Sequence, residues 1–296
     1  MERIDFRDQI ASNKIKSFFL LLVIIAIFLV FAYVIAQIYD PSLTFIIMII
    51  GIVVSILYTW ISYYNSDRIA IASVRAREAT RAEFPDYFNA VENMALASGL
   101  PKPRLYVMDS EQINAFASGR SPKKAVLCFT TGALKKLDRK ELEGVVAHEM
   151  AHVANYDIRF ITLVSVAVGM IAIVSEIFLR SLWFSGGGGG KDKSGAIFLI
   201  IGVVLAILAP IVVFFVQMAV SRKREYVADA TAVKLTRYPQ GLTSALRKIK
   251  HEHAPSTNEK HKYPKAVAPM FFANPFKNLA STHPPIDERI KMLERM

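Results

Sequence analysis

The sequence predicts an α+β domain combined with about four transmembrane α-helices, and three observations support this fold class. Hydrophobic residues make up 53% of the 296 residues, which is too apolar for an ordinary soluble protein. Four apolar runs each approach the length of about 20 residues that crosses a bilayer core as a helix. The remaining segments show short strand patterns and capped helix patterns.

The four apolar runs form two pairs, each of which we interpret as a membrane hairpin. Basic residues precede the first run and follow the second and the fourth, so the positive-inside rule predicts that these flanks lie in the cytoplasm. The first run lacks the small-residue cleavage pattern of a typical secretory signal, so we interpret it as a retained anchor. The runs are residues 17–38, 42–64, 160–179 and 196–217.

This pattern divides the chain into four parts. Residues 1–65 form an N-terminal transmembrane hairpin, and residues 158–218 form a second hairpin with a glycine-rich loop at 186–190. The other parts, residues 66–157 and 219–296, total about 170 residues, enough for one modest core. We therefore predict one soluble domain built from two separated pieces.

Charge and cysteine content narrow the possible partners. The formal net charge of +11 could indicate a nucleic-acid surface, but many basic residues flank the apolar runs, where such residues anchor helices. We therefore expect contact with a lipid bilayer and no nucleic acid. The single cysteine, Cys128, cannot form an internal disulfide, and we interpret its apolar run 125–129 as a buried strand.

The first soluble piece alternates helix and strand signals. A helix is predicted near 86–98, ended by Gly99, because glycine permits a left-handed cap. Asp138 with Glu141 forms a capping-box pattern that opens a second helix, which continues through His152. Three strand-like runs lie between these helices, at residues 104–108, 113–117 and 125–130.

The second helix contains the motif His148-Glu149-Met150-Ala151-His152. Histidines four residues apart project from one face of a helix, so both can bind one metal ion. Glu149 is not needed as a ligand and can serve as general base toward an attacking water, later passing the proton to the leaving amine. The alternative is a helix with two ordinary histidines, which is disfavoured because a third ligand candidate follows.

The third ligand candidate is Glu225, on a helix predicted after the last apolar run. The extended three-histidine pattern is excluded because its third histidine would be at position 158, which is Ile158. Two histidines and one glutamate form a known zinc site with one position open. Asp229 shares the face of Glu225 and could accept a hydrogen bond from a ligating imidazole. The alternative is an exposed acidic pair that neutralises nearby basic residues.

Four motifs in combination resemble the HtpX family of membrane zinc metalloproteases and the related CAAX prenyl proteases. The likeness covers nearly the whole chain. It implies a zincin-like, gluzincin-type α+β catalytic domain that binds one Zn²⁺ and faces the cytoplasm. It also implies quality control of misfolded or regulated membrane proteins, often alongside an ATP-dependent membrane protease. The motifs are His148–His152, Glu225–Asp229, Asn114–Ala117 and His283–Pro285.

The resemblance assigns a role to each matching residue. It makes His148, His152 and Glu225 the zinc ligands, and Glu149 the base. The run Asn114, Ala115, Phe116 and Ala117 would be an edge strand that pairs with the substrate backbone, although an ordinary internal strand is the alternative. His283 could donate a hydrogen bond to the oxyanion, or could be only a packed or solvated loop residue.

Three other functions were weighed against this one. A CAAX-type prenyl protease would normally carry more transmembrane helices. An intramembrane protease would place its ligands within the apolar runs, with an aspartate as third ligand. A transporter or noncatalytic scaffold is disfavoured because transport of polar solutes needs several polar groups at mid-membrane, and these runs offer almost none.

Overall fold

The computed structural model describes most of the first membrane hairpin and most of the two soluble pieces. Most of the predicted second hairpin, 158–218, lies outside the described residues; its residues 158–165 and 169 are helical. His283 also lies outside them. The described residues are 6–39, 41–165, 169, 222–252, 270–273 and 284–296.

The first hairpin consists of helices α1 (Phe6–Tyr39) and α2 (Thr44–Tyr64). Two described segments, Ala11–Val30 and Pro41–Tyr64, are long and apolar enough to cross a bilayer. Helix α1 has 34 residues, which extends about 51 Å at 1.5 Å per residue and exceeds a hydrocarbon core of about 30 Å. It begins well before the apolar run at 17–38 because residues 6–16 contain no proline or glycine to stop it.

Close backbone contact joins α1 to α2, and apolar side chains cover the outside of α2. A Cβ added at Gly51 would stand 2.5 Å from the Cβ of Ala32, so only glycine fits this contact. Phe45 is 76% exposed and Trp60 is 56% exposed. A helix that exposes so many apolar side chains matches lipid better than water.

A four-stranded mixed sheet forms the centre of the soluble part. Its order is β1-β2-β4-β3, with β2 parallel to β4 and both outer strands antiparallel to their neighbours. The predicted run 104–108 is confirmed, whereas the strand predicted at 113–117 lies at 115–118. The amides of Ile113 and Asn114 donate to the side chains of Glu252 and Thr130. The strands are β1 (Arg77–Glu78), β2 (Arg104–Met108), β3 (Ala115–Ser118) and β4 (Val126–Thr130).

The sheet is buried on both faces, as the alternating side chains of β4 show. Leu127 and Phe129 belong to the core shared with the helices of the soluble part. Val126 and Cys128 belong to a second core that includes Leu20 of α1. Burial raises the pKa of the Cys128 thiol, which supports the interpretation of this cysteine as structural.

Seven further α-helices, in addition to the helical residues 157–165, complete the described part of the fold. The predicted helix near 86–98 is confirmed, and it ends at Gly99 with φ of 67°. The predicted capping box is also present: Asp138 Oδ1 accepts from the Glu141 amide at 2.9 Å, and Glu141 Oε2 accepts from the Asp138 amide at 2.8 Å. The helices are α3 (Ser66–Ser73), α4 (Pro85–Ser98), α5 (Thr131–Lys136), α6 (Arg139–Ala154), α7 (Arg222–Thr236), α8 (Pro239–Glu252) and α9 (Ile286–Leu293).

Candidate metal centre

Three buried side chains from two helices meet at one point. Helix α6 contributes His148 and His152, and α7 contributes Glu225. The two Nε2 atoms lie 3.2 Å apart, and each is 3.6 Å from an oxygen of Glu225. The structure therefore brings together the three residues that the sequence suggests as ligands, although they lie in different pieces of the chain.

The spacing and chemistry of these atoms fit a zinc ion. Zinc binds imidazole nitrogen at about 2.0–2.1 Å, and tetrahedral angles then place two such nitrogens about 3.3 Å apart. The observed 3.2 Å between the Nε2 atoms is close to this value. All three donor atoms lie within 4.8 Å of one another. Two histidines and a glutamate would leave a fourth position for a water or a substrate oxygen.

A carboxylate holds the outer nitrogen of each histidine. His148 Nδ1 lies 2.9 Å from Asp229 Oδ1, and His152 Nδ1 lies 3.0 Å from Asp157 Oδ2. Such contacts favour the proton on Nδ1, so the lone pair of each Nε2 points toward Glu225. Both imidazoles are thereby oriented as metal ligands require.

Sequence reasoning identified Asp229 but missed Asp157. Helix α6 ends at Ala154, so helical spacing does not relate Asp157 to His152. A turn with Tyr156 at φ of 59° brings the chain back toward the site. An acidic residue shortly after the motif was the only signal in the sequence.

Arg289 of α9 is a further buried member of the site. Its exposed fraction is 1%, and it donates to Asp229 from Nε at 2.9 Å and from Nη2 at 2.6 Å. Burial raises the pKa of Asp229, but the charge of Arg289 and the bond to His148 outweigh this and lower it. Asp229 therefore stays ionised and can accept the hydrogen bond from His148.

The charges around His148 favour a cation. Burial lowers the pKa of His148, as does Arg289, but hydrogen bonds to Asp229 and Glu225 outweigh both and raise it to about 9. Carboxylates that stabilise a protonated imidazole would also stabilise a divalent ion at the same place.

Glu149 lies beside the three candidate ligands, where a general base would be needed. It is 2% exposed and lines a cavity of about 10 Å³ together with His148, His152 and Glu225. That volume is barely enough for one water molecule. A substrate therefore requires some surrounding side chains to move.

Residues 270–273 reduce this cavity by pairing with β3. Phe271 forms an antiparallel bridge with Phe116, and the Phe272 amide donates to the Ala115 carbonyl at 2.8 Å. The Phe272 ring packs against His148, with centroids 4.9 Å apart. Strand β3 lies at the sheet edge, as the resemblance implies, but this edge is paired within the chain.

The side chain of Asn114 holds the same segment by its backbone. Its Nδ2 donates to the Ala273 carbonyl at 2.8 Å, and its Oδ1 accepts from the Ala273 amide at 3.1 Å. These are bonds that any extended peptide could make. The substrate-binding role of Asn114–Ala117 stays a prediction. Likewise, the role of His283 stays a prediction; a helix begins directly after Pro285.

The chain is similar to known proteases over its whole length. Residues 81–296 match the model of Peptidase family M48. A "Protease HtpX homolog" of Caldanaerobacter subterraneus subsp. tengcongensis is 47% identical over 248 residues, covering 81% of this chain and 82% of that protein. Another, from Thermoanaerobacter pseudethanolicus, is 40% identical over 303 residues, covering 100% and 99%.

A solved structure shares the fold. S. mikatae Ste24p superposes with a TM-score of 0.50 at 21% identity, covering 97% of this chain and 66% of that chain. This chain thus spans just under two thirds of the length of Ste24p.

Proposed function

Because the chain belongs to peptidase family M48, whose members are metallopeptidases, and is homologous to HtpX proteases, we propose that it is a zinc-dependent endopeptidase acting on membrane or membrane-associated proteins. The observation that carries this proposal is the meeting of His148, His152 and Glu225 within 4.8 Å. The described helices long and apolar enough to cross a bilayer support its membrane association.

In the proposed reaction the chain's own residues hold the metal and move a proton. His148, His152 and Glu225 would be the ligands. Zinc bound there would polarise the scissile carbonyl and lower the pKa of the attacking water. Glu149, next to His148, would take the proton of that water and deliver it to the leaving amine. Asp229 and Asp157 would keep the imidazoles in the orientation that ligation needs.

We propose β3 as the strand that binds the substrate. Residues 270–273 support this proposal, because they already pair with β3 as an extended peptide would, through bonds to Ala115 and Asn114. Main-chain hydrogen bonds depend little on the side chains of the bound segment. Broad recognition of this kind suits misfolded or regulated membrane proteins as substrates. As a partner we propose an ATP-dependent membrane protease.

The proposed site lies near the membrane surface, on the cytoplasmic side. The guanidinium of Arg120, next to β3, stacks 4.3 Å from the ring of Tyr64 at the end of α2. Arg159, a few residues after α6, stacks 5.4 Å from Tyr63. The basic residues that follow α2 support the cytoplasmic assignment.

Casein degradation by the purified full chain tests the proposed activity. We expect internal cleavage of casein that stops with a chelator and returns with added zinc, because the three candidate ligands would lose and regain the ion. The measurement is the pattern of casein fragments over time. A zinc-loaded chain that leaves casein intact would contradict the proposal.

Single cysteines test the proposed orientation in a Cys128→Ser background. We expect a membrane-impermeant thiol reagent to label Ser42→Cys in intact cells, because Ser42 is exposed between α1 and α2. Lys123→Cys, exposed beside β4, should be labelled only after the cells are permeabilised. Labelling of Lys123→Cys in intact cells would overturn the cytoplasmic assignment.

A further inference from the structure

A buried asparagine of the first membrane helix contacts the metal site through one intermediate residue. Asn13 lies on α1 and is 2% exposed. Its Nδ2 donates to Asp157 Oδ1 at 2.7 Å and to the Asn155 carbonyl at 3.0 Å. Its Oδ1 accepts from Arg224 Nη2 at 3.3 Å.

Asp157 continues this contact to a candidate zinc ligand. Asp157 Oδ1 accepts from Asn13 and lies 3.0 Å from Arg224 Nε. Its other oxygen, Oδ2, lies 3.0 Å from His152 Nδ1. Asp157 is fully buried, and Arg224 is 5% exposed. The contacts therefore connect α1, the segment just after α6 and the start of α7 within one buried polar cluster.

We propose that Asn13 is a positioning residue of the metal centre, acting on His152 through Asp157. The first membrane helix then serves as part of the site as well as an anchor. This inference rests on the proposed zinc protease function, and it concerns how the site is kept in order.

The physical reason is the high cost of an unpaired polar atom in a buried cluster. A carboxylate that loses one of its donors in such a place turns toward those that remain, here the guanidinium of Arg224, because an incompletely bonded buried oxygen is costly. If Asp157 turns, the imidazole of His152 turns with it. Partners of ligating histidines typically change metal affinity by about 10- to 100-fold when mutated. Asn13 is separated from His152 by one further hydrogen bond, so we expect its loss to change zinc affinity by about tenfold.

The test compares variants of the full chain in detergent, with Ser17→Ala as matched control. Ser17 is fully buried on α1, one turn after Asn13, and its hydroxyl donates to the Asn13 carbonyl at 2.8 Å. Asn13→Ala removes the donor, and Asn13→Asp keeps the size but replaces the donor by a second carboxylate. Zinc affinity is measured by competition with a chelator, and site geometry by the visible spectrum of the Co²⁺-loaded chain.

We expect Asn13→Ala to weaken zinc binding about tenfold and to shift the Co²⁺ bands. Asn13→Asp should do so at least as strongly, whereas Ser17→Ala should match the wild type. A lower melting temperature with an unchanged Co²⁺ spectrum would mean that Asn13 supports only the fold, and the inference would be wrong.

A double mutant tests whether Asn13 acts through Asp157. Asp157→Asn alone should weaken zinc binding about 10- to 100-fold, and adding Asn13→Ala should change little more. Additive losses would overturn the proposed route. Failure of the wild-type chain to bind Co²⁺ or Zn²⁺ would contradict the proposed function itself, whereas normal binding by both Asn13 variants would contradict this inference alone.

Discussion

Glu149→Gln is expected to abolish proteolysis while zinc remains bound. The amide has nearly the shape of the carboxylate but cannot take a proton from the attacking water. General base catalysis typically contributes about 10²- to 10⁴-fold, so casein turnover should fall at least that far. Metal content, measured on the same preparation, should equal that of the wild type because the three candidate ligands are untouched.

A control on the same helix separates this effect from a general loss of fold. Glu143 lies on α6 away from the site, where it pairs with Lys140 at 3.2 Å. Glu143→Gln should keep nearly full turnover, since partly exposed pairs of this kind contribute little. If Glu149→Gln retained turnover within tenfold of the wild type, the assignment of the base would be wrong.

Glu225→Ala is expected to remove zinc and activity together. Two histidines would remain, with no carboxylate to complete the set or to offset the charge of the ion. We expect zinc affinity to fall more than 100-fold. This is beyond the change of about 10- to 100-fold expected for Asp229→Asn, which alters a hydrogen-bond partner of His148 and leaves the three candidate ligands in place. Zinc titration and casein turnover on the same samples measure both effects.

Lys223→Ala is the matched control for this prediction. Lys223 is exposed on α7, two residues before Glu225. Its replacement should change neither zinc binding nor turnover. Full zinc occupancy and turnover in Glu225→Ala would show that another residue supplies the third ligand.

The core of the candidate site could be predicted from the sequence because local periodicity determines it. The spacing of His148 and His152 places both imidazoles on one face of α6. The spacing of Glu225 and Asp229 likewise places both carboxylates on one face of α7. The start of α6 was also predictable, since Asp138 caps it through nearest-neighbour bonds.

Three members of the polar network could not be predicted, because only tertiary structure relates them to the site. Asp157 reaches His152 through a left-handed turn. Arg289 and Asn13 lie on helices far from the motifs in the chain, Arg289 near the end of the sequence and Asn13 just before the first apolar run. Neither residue type nor spacing indicates that such side chains become buried beside a metal site.

The pairing of β3 with residues 270–273 has a consequence for substrate affinity. If β3 binds the substrate, an incoming peptide must take the place of Phe272 and Ala273, so binding is an exchange of strand partners. Apparent affinity then falls in proportion to the fraction of molecules whose own segment has detached. Hydrogen exchange at the Phe272 amide, which bonds Ala115, would measure that fraction. Folded proteins nearby in the membrane would rarely displace residues 270–273 from β3. An unfolded chain offers many extended segments close by and would therefore compete repeatedly for β3.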